Sequence, residues 1–339
     1  MRDNSKIVLK NQVETGEILS DSGKSGKERH WKKYKEQSLA VSEAYSVYEE
    51  LVRYGESVAS CGSYLRFQSC PKGHEKKLIE AYFCRTRLCP MCQWRKSLVM
   101  FHQVLALIHA HRKQYTSDIP LLLTLTIPNV NADELKSMLD KMQGSWYTLA
   151  KRARFKKSIR SWFRALEVTY NTESKTYHPH FHILLLVPKA YFDHGRGLYI
   201  SRDEWLSLWQ EVTGMPEITQ VDIRRVRKQS SRKPLEAISA EVAKYATKPS
   251  SYIEKFPEGV LKASEGVIKA LHYSLKGRRL VAFGGLFNAL RKDLKQEDIE
   301  EANLIQITDE VSACQCLVCQ SNLIDELYRW HIGLRQYIA

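Results

Sequence analysis

The stretch Tyr177–Pro188 reads YHPHFHILLLVP. It opens with His178, His180 and His182 at alternate positions and continues into Ile183, Leu184, Leu185, Leu186 and Val187. An apolar run of this length between polar punctuation predicts a buried strand. Side chains alternate faces along a strand, so the three imidazoles share one face. Three imidazoles at the mouth of a buried strand predict a divalent-metal site. An exposed row of histidines, or a cloning tag, is the plainer alternative. A tag sits at a terminus and does not run on into a core strand.

Working upstream, Phe163–Tyr170 (FRALEVTY) predicts a second strand and Asn171–Thr176 a turn, so the two form a hairpin. Glu167 lies in the first arm, roughly opposite the histidines, where its carboxylate would complete a two-histidine, one-acid site. Pro120–Val130 (PLLLTLTIPNV) alternates Leu121, Leu123, Leu125 and Ile127 with more polar neighbours and predicts another buried strand, closed by Pro128-Asn129. Asp133–Leu149 has helical spacing. After it comes KRARFKKSIR, residues 151–160, in which six of ten positions are basic. Such a run is usually a solvated face. Here Phe155 and Trp162 are interleaved with Lys151, Arg152, Arg154, Lys156, Lys157 and Arg160, as in grooves that track a nucleic-acid backbone and stack its bases.

Downstream, Ser201-Arg202-Asp203-Glu204 is a capping box that opens a helix. Ile218–Val226 predicts a strand carrying Arg224 and Arg225, further candidates for DNA contact. Ser231–Lys248 predicts a helix, with Pro234 near its start and Leu235, Ile238, Val242 and Tyr245 as its stripe. Glu241 and Tyr245 are spaced i,i+4 and share a face, with Lys244 and Lys248 alongside. Taken alone, this is an ordinary core tyrosine with a surface Glu–Lys pair.

Before the strands lies a cysteine-rich stretch. Cys61, Cys70, His74, Cys84, Cys89 and Cys92 fall within about thirty residues. Cys89-Pro-Met-Cys92 is a knuckle that sets two thiolates on one tetrahedral ion, so the stretch predicts a zinc ribbon. Spacing does not fix which four of the six ligate. Cys61, Cys84, Cys89 and Cys92 are the first choice, with Cys70 or His74 as alternates. Trp94–His111 has helical spacing. A second knuckle, Cys314, Cys316 and Cys319, is one donor short of a site. Three readings stay open for it: an incomplete site, a site with a borrowed donor, or plain buried cysteine.

Whole-chain quantities agree with this layout. The chain has 339 residues, 43% of them apolar, enough for a sizeable core. Lys plus Arg number 52 against 38 acidic residues, a formal charge of +14, which favours a polyanionic partner and above all nucleic acid. No apolar run approaches the roughly 18 residues of a membrane span, and the first residues carry no secretory pattern. A cytoplasmic protein is expected, its eight cysteines reduced. Four regions follow: a basic, poorly ordered arm over 1–37, a helix (Leu39–Tyr54) plus ribbon over 38–112, the histidine-bearing domain over 113–250, and an accessory region over 251–339.

LLLTLTIPN, then EVTYN with YHPHFHILLLV, then EVAKYATK together resemble the three motifs of plasmid rolling-circle replication initiator (Rep) proteins of the HUH endonuclease class. FCRTRLCPMCQWRKS and KGRRLVAFGG are also similar to that family, and the likeness spans roughly Cys61–Phe287. It implies an α+β fold, a central antiparallel sheet flanked by helices with metal at its middle strands. It implies His180 and His182 as ligands, His178 or Glu167 as a third, and Tyr245 as the nucleophile. Glu241 resembles the acid that some members use in place of a second tyrosine. The expected reaction is nicking of a single-stranded plasmid origin hairpin through a 5′-phosphotyrosine, freeing a 3′-OH primer. Lys244 or Lys248 favours the phenolate, and Glu241 activates water at termination. Two imidazoles and a carboxylate suit Mn²⁺ better than Mg²⁺. A host helicase and polymerase are the implied partners, and self-association as a dimer stays open. The rivals are an HUH relaxase or transposase, whose motif order or paired tyrosines differ, and a non-catalytic zinc-containing DNA-binding regulator.

Overall fold

The computed structural model of the protein describes residues 16–22, 28–226, 236, 239, 249–307 and 315–339. Its centre is the expected hairpin. Strands Ser161–Asn171 (β4) and Thr176–Val187 (β5) pair antiparallel along their whole length. The turn is closed by Asn171, whose side-chain oxygen accepts from the amides of Glu173 and Ser174 at 2.9 and 3.1 Å. Ile119–Thr126 (β3) covers the other edge of β5. Asp222–Arg225 (β6) pairs with β3, Ile253–Lys255 (β7) and Leu261–Ala263 (β8) pair only with each other among the described strands, and Val281–Gly285 (β9) pairs with β4. The sheet order is therefore β6-β3-β5-β4-β9, all antiparallel, with β5 in the middle. Both faces of this strand are covered, since Phe181, Ile183, Leu184, Leu185, Leu186 and Val187 are all buried, which explains its near-continuous apolar run.

Two helical layers sandwich this sheet. Trp162 and Phe181 point to one face, where Trp146 of helix Ala132–Lys151 (α4) meets them edge-on at 5.0 and 6.2 Å. Ser161 and Phe163 point to the other. There His111 of helix Pro90–Gln114 (α3) bonds Ser161, and Phe283 packs on Phe163. Helix Arg202–Thr213 (α6) starts on the anticipated capping box: the Glu204 amide donates to Ser201 Oγ at 3.2 Å, and the Ser201 amide to Glu204 Oε2 at 2.8 Å. Trp209 of α6 donates to the Thr126 carbonyl where β3 ends. The mixture of helices and antiparallel sheet makes the fold α+β.

A second antiparallel sheet joins distant segments. Tyr64–Ser69 (β1) and Lys76–Ala81 (β2) pair with Ile324–His331 (β10) and Gln336–Ile338 (β11), in the order β11-β10-β1-β2. It thus draws on both the 38–112 and the 251–339 stretches.

Three expectations differ. The described residues of the basic arm predicted up to Gln37 are tied down: the Leu19 amide donates to the Tyr337 carbonyl, and helix Trp31–Ser46 (α1) begins inside the arm. Trp31 is buried, donates to Asp21 at 2.7 Å and meets Trp94 edge-on, and Lys35 is buried as a donor to the Ala59 and Cys61 carbonyls. One buried aromatic and one buried ammonium bonded to two carbonyls outweigh a polar composition. The single helix over 39–54 is two: α1 stops at Ser46, Tyr48 is extended, and Val52–Ser60 (α2) folds back on α1. Gly55 permits the close packing, since a Cβ there would lie 2.6 Å from Ser46 Oγ. Finally, β3 and β6 are shorter than the predicted 120–130 and 218–226: β3 ends at Thr126, two residues before Pro128, which has no N–H for the ladder although β5 runs on to Thr176, and β6 covers only the middle of β3.

Candidate functional site

Register builds the site. Glu167 of β4 lies directly across from His180 of β5, and Ala165 across from His182. Glu167, His180 and His182 therefore project from one face of neighbouring central strands, and the small Ala165 leaves room between them. Glu167 is fully buried and His180 nearly so. The carboxylate oxygen Oε2 lies 2.9 Å from His182 Nε2 and 3.6 Å from His180 Nε2. All three ligand atoms fall within 4.8 Å of one another. His180 Nδ1 donates to the His178 carbonyl at 3.1 Å. That bond fixes the tautomer and leaves the Nε2 lone pair aimed at the carboxylate. Two acceptors facing each other in a buried space call for a cation between them. The donor set fits a divalent ion that accepts nitrogen and carboxylate oxygen.

His178 shares the face but not the cluster. Its Nδ1 meets Asn129 Oδ1 at 2.8 Å and its Nε2 meets Thr126 Oγ1 at 3.1 Å. Burial, then the neighbouring His180, lowers its pKa below the usual histidine value. Between the two rivals for the third place, the geometry gathers Glu167 and leaves His178 to the β3 end. Tyr245, Glu241, Lys244 and Lys248 lie outside the described residues. The described chain resumes at Pro249 in a short 3₁₀ turn, Pro249–Ser251, packed against β4.

The cysteines sort into two clusters. Cys61, Cys84, Cys89 and Cys92 converge, with Cys61–Cys92 and Cys84–Cys92 sulfurs 3.6 and 3.8 Å apart. An ion bonded to each sulfur at about 2.3 Å in a tetrahedron sets sulfurs about 3.8 Å apart, so the spacing suits zinc. The Arg85 amide donates to Cys92 Sγ at 3.3 Å, and Arg85 takes the left-handed conformation, φ 57°, that a knuckle turn demands. Crowding splits the thiols: hydrogen bonding within the cluster pushes Cys61 and Cys92 well above the ordinary range and Cys84 far below it. The alternates Cys70 and His74 are elsewhere, beside Cys316 and Cys319, a pairing that sequence spacing left open; Cys314 lies outside the described residues.

The basic run divides likewise. Arg152 is held by Glu211 in a two-pronged pair at 2.6 and 2.7 Å, and Arg154 by Glu204 and the Gly197 and Tyr199 carbonyls. Both staple helix Ala153–Ser158 (α5) to the α6 region rather than face an open groove. Lys151, Lys156 and Arg160 line a cavity of about 760 Å³ with Tyr115, Tyr147, Phe155 and Trp162. Lys151 Nζ sits 3.7 Å from the Tyr147 ring centre, and Arg160 lies 4.4 Å from that of Tyr115. Lys157, Arg224 and Arg225 are exposed. The cavity is at the Trp162 end of β4, and none of Glu167, His180 and His182 lines it.

Comparison with known proteins is consistent with these features. The family described as "Replication protein" matches residues 75–338. A "Protein rep" of Streptococcus pneumoniae serotype 2 (strain D39 / NCTC 7466) is 33% identical over 293 residues, covering 86% of this chain and 88% of the relative. One of Bacillus amyloliquefaciens is 33% identical over 339 residues, covering 95% and 97%. One of Staphylococcus aureus is 40% identical over 196 residues, covering 58% and 82%. No solved structure matches the chain. With most of its length matched by that family and with near-full-length relatives at this identity, the chain belongs to the replication protein (Rep) family.

Proposed function

We propose that this Rep protein initiates plasmid rolling-circle replication by nicking one strand of origin DNA. The observation that carries the reading is the Glu167–His180–His182 triangle, its first two members buried, on the middle strands of an antiparallel sheet, in a chain whose sequence then supplies Glu241 and Tyr245. A divalent ion bound there, Mn²⁺ or Mg²⁺, supplies Lewis-acid polarisation of the scissile phosphate. The chain's own residues do the rest. His180 and His182 offer their Nε2 lone pairs and Glu167 its negative charge. The Tyr245 oxygen attacks phosphorus, giving up its proton; the P–O3′ bond breaks and the leaving 3′ oxygen takes a proton, becoming the primer hydroxyl. Because the phosphodiester energy is kept in the phosphotyrosine, the strand can be resealed. A phenol with an ordinary pKa of about 10 needs help at neutral pH, which Lys244 and Lys248 give by favouring the phenolate. At termination Glu241 takes a proton from water that makes the second cut, an irreversible step that limits each round to one copy.

We also assign a structural zinc ion to Cys61, Cys84, Cys89 and Cys92, on the sulfur spacing given above. Origin DNA is the substrate, with contacts from Lys151, Lys156 and Arg160 in the aromatic cavity and from Lys157, Arg224 and Arg225 outside it.

A labelled origin hairpin incubated with the protein and Mn²⁺ tests the reading. The expected result is a covalent protein–DNA adduct that Tyr245→Phe abolishes, and a Glu241→Ala variant that still forms the adduct but fails the second cut. An adduct with Tyr245→Phe assigns the nucleophile elsewhere. Retarded but uncut DNA at every metal concentration points instead to a zinc-containing DNA-binding regulator.

A further inference from the structure

We propose that Cys70, His74, Cys316 and Cys319 hold a second structural zinc ion, one that fastens the β10–β11 strand pair to the β1–β2 hairpin. The four residues come from segments about 240 positions apart. Cys70 and His74 sit in the connection between β1 and β2, and Cys316 and Cys319 in the knuckle before β10.

The spacing is that of a tetrahedral site. Cys70 Sγ lies 3.5 Å from both Cys319 Sγ and His74 Nδ1, and Cys316 Sγ lies 3.7 Å from His74 Nδ1. Zinc bonded to sulfur at about 2.3 Å and to nitrogen at about 2.0 Å sets such ligand pairs roughly 3.5–3.8 Å apart. The same sulfur separation is far beyond the roughly 2.05 Å of a disulfide.

The two loops are also built alike. The Lys72 amide points at Cys70 Sγ and the Val318 amide at Cys316 Sγ, both at 3.4 Å and both two residues on. Amides so aimed favour thiolate over thiol. A left-handed residue closes each loop, Gly73 at φ 74° and Gln320 at φ 59°. The Leu317 amide reaches across to Glu75 Oε1 at 3.3 Å, joining them. Among the described residues, the core cluster does not include the later knuckle. Leu317 and Val318 at its tip are 82% and 71% exposed. A loop of this shape, with its apolar tip in solvent and its buried Cys316 turned to the other three donors, is ordered by its ligands to a cation. The neighbouring Lys76–Glu326 pair at 2.6 Å, in the strands the ion joins, shows that the segments are already in register there.

The inference does not depend on the nicking reading, and metal counting separates the two. Full-length protein is washed with EDTA to strip the carboxylate–imidazole cluster and analysed by native mass spectrometry and plasma emission. Two zinc ions per chain are expected, one for each cysteine-containing cluster. Cys316→Ser/Cys319→Ser should retain one. His74 is exposed, so its variants spare the fold: His74→Ala should lose one ion readily to chelator, and His74→Cys should keep both. Cobalt substitution of wild type should show a three-sulfur, one-nitrogen spectrum besides a four-sulfur one, the former absent from the double variant. One zinc in wild type, two in the Cys316/Cys319 double variant, or a Cys70–Cys319 disulfide in freshly purified protein would overturn the proposal.

Discussion

Glu167 is the residue on which the site turns. A fully buried carboxylate 2.9 Å from one imidazole and 3.6 Å from another is a poor core residue and a good ligand. Glu167→Gln keeps the shape and removes the charge. It should leave hairpin binding intact and slow metal-dependent nicking by more than about 100-fold, the upper figure for a mere supporting partner, as adduct formation over time will show. The alternating histidines announced this face in the sequence, and the hairpin placed Glu167 opposite them. What the alternation alone could not say, and the family resemblance left between His178 and Glu167, was which of the two would complete the group. That depended on Thr126 and Asn129, about fifty positions upstream, closing on His178. A second buried histidine makes a separate prediction. Burial lowers the pKa of His111, against the opposing pull of Asp118 at 2.9 Å. The unfolded chain then takes up a proton near pH 6.5 before the folded one does, so stability is complete above that value and falls as pH drops below it. Melting temperature should decline on acidification through that range, and less steeply in His111→Gln. An unchanged acid limb would remove His111 from the account.

Elements were legible where local chemistry fixes them and illegible where partners do. The Ser201–Glu204 capping box places the start of α6 to the residue. Its loss in Ser201→Ala should cost about 1 kcal/mol, readable by denaturant titration. The β4–β5 hairpin was equally plain, since its turn chemistry and strand pattern agree. The ends of β3 and β6 were not, because apolar residues such as Ile127, Val130, Val221 and Val226 continue past the last ladder pair of each. The α1–α2 break was hidden too, as apolar spacing continues across it and only packing at Gly55 reveals the fold-back. Gly284 and Gly285 form the closest fit in the main sheet. A Cβ on Gly284 would lie 2.0 Å from the Trp162 ring, and one on Gly285 2.0 Å from the Arg160 carbonyl, at φ 61°. Gly284→Ala should therefore destabilise the protein by about 1–3 kcal/mol through overpacking, while Ala substitution of Gly144, which has open space around it, should not.

At the scale of the whole molecule, charge and topology set behaviour. The surplus of +14 predicts salt-sensitive DNA affinity. Replacing Lys151 and Lys156 with Ala should lower the slope of log affinity against log salt by about 1.4 on single strands, with little effect from Arg152→Ala beyond stability, because Glu211 already neutralises it. Equal slopes in wild type and the double variant would exclude the aromatic cavity as a DNA contact. The composite sheet was the least legible feature of all. Nothing local in β1 or β10 names the other, and only the stray cysteines hinted that the two regions meet. The place of β5 in the main sheet has one more consequence. Its amides and carbonyls are engaged from both sides, so hydrogen–deuterium exchange along Phe181–Leu185 should require opening of the entire sheet, whereas β6 and β9, each paired on one side only, can fray first. The imidazoles of His180 and His182 are thus carried by backbone that should exchange more slowly than either margin of this sheet, and the margins can loosen without disturbing them.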